Sequence, residues 1–95
     1  MREEIEYLCL DEVNGCEFGL VINQYRKDAL PDVEIVVLNH DLRMARTIGN
    51  VTSVEDGMNE VVDCIQRGFS INGLHFSPLS NYSLSKDLMA ECISI

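Results

Sequence analysis

Between residues 52 and 69 the apolar positions Val54, Met58, Val61 and Ile65 recur at i, i+4, i+7 and i+11, the spacing that gathers side chains on one side of an α-helix. Ser53 stands where its hydroxyl can accept a backbone N–H of the first turn, and Asp56, three residues on, where it can reach back. Glu55 and Asp56 at the start and Arg67 at the end match the helix dipole, and Gly68 supplies a left-handed stop. A helix is therefore predicted over about residues 53–67. Its apolar side belongs to a core, and its other side carries Asp56, Asn59, Glu60 and Asp63.

The rest of the chain alternates with a shorter period. Residues 4–13, EIEYLCLDEV, are rich in strand formers and run into Asn14-Gly15, the strongest short-range signal for a hairpin turn. A two-residue turn sets Val13 opposite Cys16, Glu12 opposite Glu17 and Asp11 opposite Phe18. Carried on unbroken, the register puts Cys9 opposite Leu20 and Tyr7 opposite Ile22. Tyr7, Cys9, Phe18, Leu20 and Ile22 then share the core side, and Leu8, Leu10 and Val21 fall on the other. Residues 23–31 read as a connection with a short helical turn around 25–30. Residues 33–38 form a β-branched strand with Val33, Ile35 and Val37 inward. Asn39-His40-Asp41 is a turn, and residues 44–51 an edge strand marked by Arg43 and Arg46. Beyond the helix come a short strand at 74–76, stopped by Pro78, and a polar loop at 80–85. A short helix at about 85–90 and a strand at 91–95 are predicted last. The pattern predicts one domain over residues 1–95 of class α+β. Its mostly antiparallel sheet has four to five strands, with one main helix packed on one face.

Charge changes the picture more than composition does. The net charge is −9, unevenly placed. Residues 1–17 carry Glu3, Glu4, Glu6, Asp11, Glu12 and Glu17 against Arg2 alone. Residues 51–95 carry Glu55, Asp56, Glu60, Asp63, Asp87 and Glu91 against Arg67 and Lys86, while the stretch between is balanced. Such a field repels nucleic acid and anionic membranes and attracts a basic protein surface. Glu12 and Glu17 are expected directly opposite each other across the hairpin tip. Asp56, Glu60 and Asp63 repeat at i, i+4, i+7. In both sets like charges stand beside like. These five residues are the candidate partner-binding set, because self-repelling acids stabilise little in isolation and gain when cations arrive.

Little else points to chemistry. The chain has four cysteines, but none are close-spaced pairs of the kind that hold zinc, and His40 and His75 lack ligand-spaced neighbours. The run from Asp11 to Gly15 lacks the alternating oxygen ligands of a calcium loop. No nucleophile elbow, P-loop or dinucleotide fingerprint is present. No catalytic residue, metal or cofactor is therefore expected, and the chain is read as a non-enzyme. The N-terminus is acidic where a signal peptide would be basic and then apolar, and no apolar run is long enough for a span, so a cytoplasmic protein is expected.

The functional expectation is a small acidic inhibitor that neutralises a basic protein target, a nuclease toxin or a nucleic-acid-binding complex. In size and charge the chain is similar to toxin-immunity proteins and to phage-encoded anti-defence inhibitors that mimic nucleic acid. That similarity extends to composition only. The alternative is a non-enzymatic homo-oligomeric structural or adaptor domain, such as a homodimer, with Leu8, Leu10 and Val21 as its seam. One prediction follows from the cysteine placement: a thiol count on unfolded, unreduced protein should return four, and a loss of mass equal to a bridge would contradict it.

Overall fold

A computed structural model of the chain describes residues 4–71 and 73–84. The helix and strand predicted for residues 85–95 lie outside them, as does Cys92. Four strands form one antiparallel meander: β1 (Glu4–Val13), β2 (Cys16–Gln24), β3 (Asp32–Asn39) and β4 (Met44–Val51), in spatial order β1-β2-β3-β4. The helix α1 (Val54–Arg67) follows, and then β5 (Phe69–Ile71) and β6 (Leu74–Phe76) pair as a separate small ribbon. The architecture is α+β, a four-stranded sheet with one helix across one face.

Local sequence explains the elements. Asn14 and Gly15 both take positive φ, 51° and 81°, as the tight turn between twisted strands requires. Ser53 Oγ accepts the Asp56 N–H at 3.0 Å, and the Gly68 N–H closes the helix on the Cys64 carbonyl. Residues 25–30 form a turn rather than the helical turn expected. Gln24 holds it by donating its side-chain amide to the Arg26 and Ala29 carbonyls.

The hairpin register agrees with expectation only near the turn. Val13 faces Cys16, Glu12 faces Glu17 and Asp11 faces Phe18, but the pairing then shifts, so that Cys9 faces Gly19, Leu8 faces Leu20 and Tyr7 faces Val21. The extra residue is Leu10, a β-bulge, and every earlier residue of β1 is turned over relative to the unbroken alternation. Tyr7 and Cys9, expected inward, lie on the outer side. Leu8 and Leu10, expected outward with Val21, pack into the core. A second bulge at Ile48 in β4 does the same on the opposite edge, where Ile35 faces Gly49 and Val36 faces Thr47. The bulges thus bring Leu8 and Leu10 from β1 and Ile48 from β4 to the core side.

Between sheet and helix lie Phe18, Leu20, Val33, Ile35 and Val37 from the strands and Met58, Val61 and Ile65 from α1. Phe69 and Phe76 stack on each other at 4.9 Å and meet Phe18 edge-on at 5.7 and 6.0 Å, which fastens the small ribbon to the main core. The loop after β6 is strapped down by hydrogen bonds from Gln66 to the Tyr82 carbonyl and from the Tyr82 hydroxyl to Asp11. Helix and sheet come closest at Gly57, where an added Cβ would lie 2.9 Å from Leu20 Cδ2 and 3.4 Å from Val33 Cγ1. Leu20 and Val33 are fully buried and have nowhere to move. Gly57→Val should therefore lower the free energy of unfolding by about 1–3 kcal/mol. Urea unfolding measures it, and an unchanged midpoint would contradict the close packing.

Candidate functional site

The five acids singled out by the sequence fall on opposite layers. Asp56, Glu60 and Asp63 are exposed on the side of α1 away from the sheet. Glu12 and Glu17 face each other on the side of the sheet away from α1. The structure keeps each set together and does not bring the two sets into one surface.

Their surroundings also differ from bare repulsion. Asp63 accepts from Arg67 at 2.8 Å, one turn on, a pair that is exposed and worth little to stability. Glu17 is held by two neighbours that sequence reasoning missed. The Tyr7 hydroxyl donates to its Oε2 at 2.5 Å, and His40 Nε2 lies 3.3 Å from its Oε1. Those hydrogen bonds, Tyr7 first and His40 second, hold the Glu17 carboxyl below the usual carboxylate range. Burial and then the Glu17 carboxylate push the Tyr7 phenol well above its ordinary value.

Gly19 makes this possible. A Cβ there would lie 2.4 Å from the Tyr7 hydroxyl oxygen, so only glycine lets the ring lie across β2 to reach Glu17. A glycine in the middle of an otherwise strand-like run was the available signal of a close approach. His40 sits in the β3–β4 turn, organised by Asn39, whose Oδ1 accepts the Leu42 N–H and whose amide meets Cys16 Sγ at 3.7 Å. His75 is exposed on β6, opposite Ser70.

Among the described residues α1 packs on one face of the sheet and no element packs on the other. The register lays it out in rows. Nearest the two turns are Glu12, Glu17, Leu38 and Ala45, followed by Cys9, Gly19, Val36 and Thr47. Then come Tyr7, Val21, Glu34 and Asn50, and last Ile5, Asn23 and Asp32. Asn50 donates to the Asp32 carboxylate at 3.1 Å, which holds that acid on this face. The centre is a shallow depression of about 320 Å³ lined by Tyr7, Val21, Val36, Leu38, Ala45, Arg46 and Thr47. A solvated face of an antiparallel sheet is ordinarily polar, and this one is apolar through its middle.

Cys9, Cys16 and Cys64 are free thiols; Cys16, rather than Cys9, is the fully buried one. Among the described residues no group of three or more His, Cys, Asp or Glu is placed to hold a metal ion. Among them also, no helix is long and apolar enough to cross a membrane. In comparisons with family models, curated proteins and solved structures, nothing matches the chain.

The Tyr7–Glu17 bond carries a pH signature. The lowered Glu17 value gives stability that is present above the ordinary carboxylate pKa and lost as pH falls through the folded value. The raised Tyr7 value gives stability that is present below the ordinary phenol pKa and lost as pH rises towards the folded value. Tyr7→Phe should cost about 1 kcal/mol at neutral pH. The difference from wild type should shrink below about pH 4 and above about pH 10. A cost that is the same at every pH would show that the bond does not form.

Proposed function

We propose that the chain is a small, non-enzymatic acidic binding protein that inhibits a basic protein target by covering its nucleic-acid-binding or active surface. A nuclease toxin or a nucleic-acid-processing complex is the target class, so that toxin immunity and phage anti-defence are both within the reading. The observation that carries it is the placement of excess acidity. The chain has a net charge of −9, and its described acids lie on both layers, with Asp56, Glu60 and Asp63 outward on α1 and Glu12 and Glu17 outward on the sheet. These acids supply a field that steers a cationic surface inward and disfavours nucleic acid. The proposed setting is the cytoplasm, where thiols such as the exposed Cys9 stay reduced.

The second reading is a homo-oligomeric structural or adaptor domain, and the open apolar centre of the sheet favours it. The seam first expected for it, Leu8 with Leu10 and Val21, is not one surface, since Leu8 and Leu10 face the core. A seam would have to be built from Tyr7, Val21, Val36 and Leu38.

Two measurements separate the readings. On a column of immobilised basic protein, the chain should be retained at low ionic strength. It should be released as salt rises from about 0.05 to about 0.5 M, because the field is screened over less than a Debye length of about 10 Å. Light scattering should give the mass of one chain, 10.7 kDa. Passage through the column without retention, together with a multiple of that mass, would replace the inhibitor by the oligomer.

A further inference from the structure

The open face has a layout that neither the charge count nor the sequence spacing reveals. Its apolar residues do not follow one strand. They run diagonally, from Ile5 and Tyr7 on β1 through Val21 on β2 and Val36 and Leu38 on β3 to Ala45 on β4. Ile5 is 65% exposed and Tyr7 45%, so the stripe lies open to water at that end. Acids flank it on both sides: Glu12 and Glu17 at one corner, Asp32 and Glu34 at the other. Three strand spacings across and three pleat repeats along make the stripe about 25 Å long. That is the length of an α-helix of about 16 residues.

We propose that this face is the docking site for an amphipathic α-helix of a basic partner. The helix lays its apolar side along the diagonal, with one large side chain in the depression between Tyr7 and Leu38. Its flanking Lys or Arg residues stand over Glu12 and Glu17 on one side and over Asp32 and Glu34 on the other. The proposal rests on the reading of the chain as a binder of basic proteins and names the surface and the shape that it recognises. Charge complementarity decides for this occupant over a second copy. A two-fold axis along the stripe would set the Glu12–Glu17 corner on the Asp32–Glu34 corner of the other copy. A two-fold axis across the stripe would set each corner on itself, so both arrangements stack acid on acid. A helix with cations on both flanks meets opposite charge at each corner. The acids of α1, on the far layer, then contribute long-range steering rather than contact.

The test titrates the full chain with a synthetic helix of about 16 residues, a leucine stripe flanked on both sides by lysines. The peptide carries one tryptophan as a fluorescent reporter, since the chain has none. Binding should saturate at one peptide per chain. Leu38→Gln should weaken it about tenfold without a change of charge. Glu12→Lys with Glu34→Lys should weaken it at least tenfold more than the charge-matched pair Glu6→Lys with Asp28→Lys, all at unchanged thermal midpoint. A peptide with serine in place of leucine should lose most of the affinity. Equal losses from the two charge pairs, with the serine peptide bound as well as the leucine one, would overturn the docking site and leave the acidic binder standing. So would a larger loss from Glu60→Lys with Asp63→Lys, which would move the contact to α1. Self-association of the chain that Leu38→Gln abolishes would put a second copy on the face and overturn the proposal. Failure of every cationic peptide to bind at low salt would remove the proposal and the acidic-binder reading together.

Discussion

Leu10, the one residue inserted into the pairing of β1 with β2, decides which side of the sheet the first half of β1 presents. In an unbroken ladder Tyr7 and Cys9 would face the core, and Leu8 and Leu10 would be left on the outer side. With the bulge, Leu10 enters the core and Leu8 packs against it, and the full burial of Leu10 alone is worth about 1.5–3 kcal/mol before entropy. The local cost is one unpaired backbone position at a sheet edge, where water can reach it. The same exchange occurs at Ile48 on the other edge. The core is therefore wider than four strictly alternating strands would make it, and the outer face is assembled from residues displaced from it.

That displacement explains how the outer face comes by its features. Tyr7, turned outward, would stand in solvent but for Gly19, which leaves room for its ring to lie on the sheet and bond Glu17. Glu17 in turn draws His40 from the β3–β4 turn, so that one carboxylate ties together three neighbouring strands. The apolar diagonal and its acidic corners follow from the same register, since a shift of one residue in either edge strand would scatter them. The acidity of α1 has a separate origin. It is the ordinary polar side of a helix whose other side is buried, and it shares no surface with the sheet acids.

Much of this fold was legible because its signals are local. Ser53, Gly68 and the four-residue apolar stripe define α1 without help from the rest of the chain. Asn14-Gly15 fixes its turn and the three pairs next to it. Legibility ends at Leu10, because a bulge has no composition of its own and the run Leu8-Cys9-Leu10 alternates no better in one register than in the other. The facing pair Glu12 and Glu17 was visible, lying on the turn side of the bulge. Tyr7 as a partner of Glu17 was not, lying beyond it. His40 reaches Glu17 only through the pairing of β2 with β3, a long-range contact that no spacing encodes. The ribbon of β5 and β6 was half seen, because Phe69 declares itself a strand residue only when Phe76 stacks on it.

The bulge turns Tyr7 and Cys9 to the outer face of the sheet, and thiol reactivity tests this most directly. Cys9 and Cys16 lie on the two strands of one hairpin, Cys9 exposed and Cys16 fully buried. A brief pulse of a maleimide on the native protein, followed by peptide mapping, reports each thiol separately. The structure predicts that Cys9 is modified long before Cys16, even though burial and the nearby Glu17 and Asp11 carboxylates raise its pKa and slow its reaction. Protection of Cys9 equal to that of Cys16, in protein that labels fully once unfolded, would mean that the strand alternates without the bulge and that the open face is not the one described.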